Sequence, residues 1–123
     1  MNVVDSSGWL EYLADGPAAE FFSAIIERPS ALIVPTLSLF EVFKRVRQQR
    51  DESAALTAVA LMRQGRIVNL SESLAVSAAN ISIQHRLPMA DSIIYATAKA
   101  HDATLWTLDG DFAHMPDVKY RKR

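Results

Sequence analysis

Short runs of consecutive apolar residues alternate along this chain with longer stretches whose apolar positions recur every three or four residues, a pattern that predicts strands alternating with amphipathic helices. Asn2-Val3-Val4 is β-branched and strand-like, and it leads into Asp5-Ser6-Ser7-Gly8, residues suited to a turn and a helix N-cap. A helix from Ser7 to Leu13, with Trp9, Leu10 and Leu13 as its apolar face, stops at Asp15-Gly16-Pro17, and a second runs from Ala18 to Glu27 before Pro29. Ala31-Leu32-Ile33-Val34, set between two prolines, predicts a strand buried on both faces. Leu39, Val42, Phe43 and Val46 then mark a helix reaching Gln49, and Asp51 to Arg63 forms an alanine-rich one.

Gly65 interrupts the pattern, and Ile67-Val68-Asn69-Leu70 predicts a third strand. Ser71 caps a helix to His85, Pro88 starts another to His101, Leu105-Trp106-Thr107 forms a fourth strand, and Val118-Lys119-Tyr120 adds a short edge strand. Strands alternating with helices imply an α/β domain, a three-layer α/β/α arrangement with a mostly parallel sheet of four to five strands. With 123 residues and no linker or repeat, residues 1–123 make a single domain.

Ligands in such sheets bind beyond the carboxyl ends of the strands. Asp5 and Asp109 directly follow strands and so fall on that edge, and Glu41 stands a few residues after the second strand. Asp91 is left open by topology. Two helices precede the fourth strand, and if they ran antiparallel to each other along the sheet Asp91 would start at the wrong edge, so the first must lie across it. Each acid also has an ordinary structural use. Glu41 follows Ser38 at capping-box spacing, Asp91 suits the first turn of a helix, Asp5 suits an N-cap, and Asp109 or Asp111 suits an Asx-turn. Clustered carboxylates, by contrast, repel one another, and a hard divalent cation is their usual partner.

Cysteine is absent, which excludes disulfides, thiolate metal sites and a cysteine nucleophile, and fits a reducing compartment such as the cytoplasm. No apolar run approaches the roughly 18 residues of a membrane span, and the N-terminus lacks a signal-like pattern, so a soluble, unexported protein is expected. The net charge of −1 gives no overall attraction to nucleic acid, but Lys44, Arg45, Arg47 and Arg50 crowd one stretch, and Lys119, Arg121, Lys122 and Arg123 another. Such clusters can contact phosphates or simply form solvated faces. His85, His101 and His114 have no metal-ligand spacing, and no phosphate-binding glycine loop, dinucleotide fingerprint or serine nucleophile elbow occurs. A receiver-like phosphoacceptor domain is disfavoured, because paired acids after the first strand and a lysine suitably placed after the fourth are missing.

The chain resembles the PIN-domain family, in particular its VapC-type ribonuclease toxins of type II toxin-antitoxin systems. The resemblance runs from end to end and is carried by Val3-Val4-Asp5-Ser6-Ser7 with Trp9 and Leu13, by Glu41-Val42, by Leu87 to Ala98 around Asp91, and by Leu105 to Phe112 around Asp109. It implies that Asp5, Glu41, Asp91 and Asp109 form one catalytic, metal-binding cluster, with Asp111 a fifth member and Ser6 and Thr107 polar supports. It also implies that Asp91 reaches the strand-end edge. Ser92, where alanine commonly follows the third acid, is a small departure.

The implied activity is endoribonucleolytic hydrolysis of RNA with Mg2+ or Mn2+, ions that accept carboxylate oxygens and lower the pKa of water for in-line attack on phosphorus. By this reading Asp5, Asp91 and Asp109 bind metal directly, Glu41 binds metal or orients water, Asp111 adjusts the rim, and Lys44, Arg45 and Arg47 hold phosphates. The implied partners are a cognate antitoxin, whose arginine or lysine competes with metal, and a second copy of the chain in a homodimer, extending to a heterotetramer or larger assembly. Trp9, Tyr12, Phe21, Phe22 and Ala54 to Met62 supply apolar surface for the core and for those interfaces. A catalytically silent PIN-like module that binds RNA or protein is the alternative, and it would often have lost one of the acids.

Overall fold

The computed structural model describes residues 1–123. Its strands β1 (Asn2–Val4), β2 (Leu32–Pro35), β3 (Arg66–Val68), β4 (Thr104–Thr107) and β5 (Val118–Tyr120) form one sheet in the order β3-β2-β1-β4-β5. All four pairings are parallel. Helices α1 (Ser6–Leu13), α2 (Ala19–Ile26), α3 (Thr36–Gln49), α4 (Glu52–Met62), α5 (Glu72–His85) and α6 (Met89–Ala100) connect them.

Strand side chains alternate between two apolar layers, as a period of two requires. Val4, Leu32 and Val34 join Trp9, Phe22, Val42, Ala58 and Met62 on one face, while Val3, Ile33 and Leu105 join Ile94, Tyr95 and Phe112 on the other. This is the three-layer arrangement the pattern predicts. The aromatic surface expected to serve core and interfaces is largely consumed by packing: Trp9 and Phe22 are wholly buried, and Phe21 packs at 5.1 Å between centroids on Trp106. The Trp106 indole N–H in turn donates to Asn2 Oδ1 at 2.9 Å, tying β4 to β1.

Strand β3 starts one residue earlier and ends two residues sooner than the apolar run Ile67 to Leu70 suggests. It pairs only with β2, whose Pro35 faces Val68, and the chain beyond Pro35 enters α3, so Asn69 and Leu70 have no backbone partner. Between β3 and β4, α5 packs chiefly on α6 rather than on a strand. Leu74 and Ala78 meet Ala96 there. Arg86, left-handed at φ 54°, ends α5, and Ser82 Oγ donates to the Leu87 carbonyl at 2.7 Å to hold the turn. With α5 stacked outside it, α6 is free to run back along the sheet to β4, which puts its N-terminal end at the strand-end edge.

Gly8 sits where α1 crosses β1 and α2. A Cβ there would stand 2.6 Å from both Phe22 Cε1 and Val4 Cγ1, inside two buried side chains. Gly8→Ala is expected to lower unfolding stability by about 2 kcal/mol through overpacking, read by urea denaturation; unchanged stability would show that the helix can lift away freely.

Candidate active site

The site is assembled by the ends of β1 and β4. Val4 pairs with Trp106, and the Asp5 N–H extends the ladder to the Trp106 carbonyl at 3.1 Å, so Asp5 and Thr107 emerge side by side. Asp5 is only 4% exposed. Its Oδ1 caps α1 by accepting from the Gly8 N–H at 3.0 Å and also accepts from Ser7 Oγ at 2.7 Å, while Oδ2 accepts from Thr107 Oγ1 at 2.5 Å. Burial raises the Asp5 carboxyl above the ordinary aspartate range; these hydrogen bonds oppose that shift and the negative charge of Asp109 adds to it.

Thr107 does two things at once. Its Oγ1 donates to Asp5 and accepts from the Asp109 N–H at 2.8 Å, which orients the turn after β4. Asp109 Oδ1 then accepts from the Asp111 N–H at 2.9 Å, capping the short 3-10 turn Gly110–Phe112. Asp109 and Asp111 are thereby presented by one turn, with Asp109 half-buried and Asp111 exposed.

Glu41 comes from the first half of α3. The capping box suggested by Ser38-x-x-Glu41 does not form, because α3 starts at Thr36 with Pro35 as its cap and Ser38 is inside the helix, fully buried with its Oγ unpartnered. Glu41 Oε1 instead accepts from Ser6 Oγ at 2.6 Å, which draws α3 toward the β1–α1 junction.

Asp91 lies in the first turn of α6, half-buried. Burial, and then the negative charges of Asp109, Asp5, Asp111 and Glu41 in that order, push its carboxyl up to about 7. All five predicted acids therefore share one electrostatic neighbourhood. The tightest group is Asp91, Asp109 and Asp111, whose carboxylates offer one oxygen each within 4.8 Å of one another. Asp5 and Glu41 stand outside that triad, bound to hydroxyls of Ser7, Thr107 and Ser6. Asp111 reaches the triad from an exposed position.

Ser7 was missed as a support by sequence reasoning. Its Oγ donates to Asp5 and accepts from the Leu108 N–H at 3.2 Å, bridging the ends of β1 and β4. The serine pair after Asp5 is the only sequence signal for it. Ser92, at the alanine-like position, is buried and donates to the Met89 carbonyl at 2.7 Å, satisfying itself within α6.

The donor set suits a hard divalent cation. An octahedral ion with oxygens at about 2.1 Å separates neighbouring ligands by about 3 Å and opposite ones by about 4.2 Å, so three oxygens within 4.8 Å need little contraction. With every donor a carboxylate, bringing them together without a cation drives one of them toward the protonated state, as at Asp91.

A family model described as PIN domain matches residues 3–118. The structure is similar to a toxin-antitoxin complex from Klebsiella pneumoniae, with a TM-score of 0.80 and 25% identity over 97% of this chain and 96% of that one. It is similar in fold to Mycobacterium tuberculosis VapC20, described as a sarcin-ricin loop cleaving toxin, with a TM-score of 0.82 and 20% identity over 98% and 99% of the two chains. FitAcB from Neisseria gonorrhoeae shares the fold at a TM-score of 0.72 and 24% identity, covering 98% of this chain and 96% of that chain. No curated protein sequence matches.

Asp91 binds a proton more tightly in the folded chain than an aspartate of ordinary pKa 3.8 does in the unfolded one. Its contribution to stability is full below about pH 4 and is lost as pH rises through 7. In chelator, Tm is expected to fall by roughly 5 °C between pH 5 and pH 8, and Asp91→Asn to flatten that slope. Equal slopes for both proteins in differential scanning calorimetry would contradict the convergence of the acids.

Proposed function

Because the chain belongs to the PIN-domain family, we propose that it is an endoribonuclease toxin, hydrolysing RNA phosphodiester bonds at a Mg2+ or Mn2+ centre built from Asp5, Glu41, Asp91, Asp109 and Asp111. The observation that carries this reading is the approach of Asp91, Asp109 and Asp111 to within 4.8 Å of one another, where burial and then the charge of the other four acids push Asp91 up to about 7. Such charge crowding at a strand-end edge is expensive unless a cation relieves it.

Asp91, Asp109 and Asp111 would hold the ion. When bound, it supplies neutralisation of the scissile phosphate and a water of lowered pKa. Asp5 borders the triad: its Oδ1 fixes the β1–β4 edge, and its Oδ2, which accepts one hydrogen bond, keeps a lone pair for the ion. Glu41, held by Ser6, is placed to accept a proton from attacking water or to complete the ligand set. Thr107 and Ser7 orient Asp5 and oppose the upward pull of burial on its carboxyl. Exposed Lys44, Arg45 and Arg47 on α3 offer cations to flanking phosphates.

The partners in this reading are RNA, a cognate antitoxin, and a second copy of the chain. The similarity to the Klebsiella pneumoniae toxin-antitoxin complex supports the antitoxin. An antitoxin arginine or lysine reaching the acids would displace metal by taking its electrostatic place. No helix of the protein is long and apolar enough to cross a membrane.

Chelator-treated protein, freed of antitoxin, is expected to leave RNA intact and to cleave it when Mg2+ or Mn2+ is restored. Asp5→Asn and Asp91→Asn should each slow cleavage by about 100-fold or more with far-ultraviolet circular dichroism unchanged. Full activity in chelator, or in either variant, would overturn the mechanism.

A further inference from the structure

Phe40 is 61% exposed although α3 has an apolar face available. Leu39, Val42 and Val46 of the same helix pack into the core, so Phe40 is not a core residue displaced by crowding. It stands immediately before Glu41 and lines a hollow of about 380 Å³ with Ser6, Glu41, Lys44, Arg45 and Gln48. Two of these, Ser6 and Glu41, are the hydrogen-bonded pair at the border of the acidic cluster. Lys44 Nζ lies 5.7 Å from the Phe40 ring centroid, one helical turn along, in a cation-π contact. The hollow therefore borders the acidic cluster at Ser6 and Glu41 and is walled by an aromatic face, Leu10, two cations and an amide.

We propose that this hollow is a nucleobase subsite, in which Phe40 stacks an unpaired base next to the scissile phosphate while Lys44 and Arg45 take the neighbouring phosphates. The inference rests on the ribonuclease reading and adds a base-contacting residue to it, Phe40, which requires a base free to leave its stack. A base seated on the ring displaces the Lys44 ammonium from the aromatic face toward the phosphate, so one contact is exchanged for another. Gln48 adds a donor and an acceptor for a base edge. Charge complementarity selects a nucleic acid strand over an apolar peptide. A peptide covering Phe40 would desolvate Lys44 and Arg45 without neutralising them, whereas a strand brings a phosphate to each. A paired duplex cannot enter, because its bases present no free face.

The test uses the Asp91→Asn protein, which the ribonuclease reading expects to bind RNA without cutting it, titrated with an oligoribonucleotide carrying 2-aminopurine, either single-stranded or locked in a hairpin stem. The subsite predicts quenching with the single strand and little with the stem. Adding Phe40→Ala should weaken single-strand binding about tenfold and remove the quenching, while Phe40→Trp restores both. Phe40 variants that bind and quench like their parent would overturn the subsite and leave the nuclease reading standing, to be judged by metal-dependent cleavage in the wild type. Failure of wild type and variants alike to bind or cut any RNA would overturn both. If Phe40→Ala changes only self-association in sedimentation velocity, the face is an interface between copies and the subsite is wrong.

Discussion

Parallel pairing of β1 with β4 is the constraint from which the site follows. The ladder from Asn2–Thr104 to Val4–Trp106, continued by the Asp5 N–H, sets the two strand ends at the same height. Asp5, Thr107 and the turn bearing Asp109 and Asp111 are then neighbours without any contribution from loops. Ser7 and Thr107 convert that proximity into fixed geometry, because each hydroxyl joins Asp5 to a backbone N–H of the segment that follows β4. Loss of either hydroxyl would leave a buried carboxylate oxygen and a backbone donor poorly satisfied, which is costly in a dry interior.

The opposing force is repulsion among the acids. Burial raises both carboxyls: at Asp5 three hydrogen bonds oppose that rise without reversing it, whereas Asp91 has none to offset burial and its neighbours and rises to about 7. The two aspartates therefore have different parts in the same site. One is fixed by hydrogen bonds and shapes the edge; the other, free of them, is poised to exchange a proton for a metal ion near neutral pH, as the proposed metal centre requires.

Much of this arrangement was legible in the sequence. Short apolar runs located β1, β2 and β4, and a strand end places its next residue on the ligand-binding edge, so Asp5 and Asp109 followed from topology alone. Asp91 did not, because nothing in the sequence shows that α5 stacks on α6 and leaves α6 to return along the sheet. Glu41 misled in a different way. Ser38-x-x-Glu41 has the spacing of a capping box, but Pro35 starts the helix three residues earlier and moves Ser38 inside. Ser7 was hidden because its role depends on a partner about a hundred residues away, at Leu108. Leu70 failed as a strand residue because β3 depends on β2 for partners, and β2 ends at Pro35.

The central claim is that the acids form a divalent-cation centre in which Asp91 gives up a proton. Isothermal titration of the chelator-treated protein with Mn2+ at pH 6, in two buffers of different ionisation enthalpy, tests it most directly. The account predicts saturable binding with net proton release, and release that vanishes in Asp91→Asn. Absence of Mn2+ binding, or binding whose heat is the same in both buffers, would contradict it.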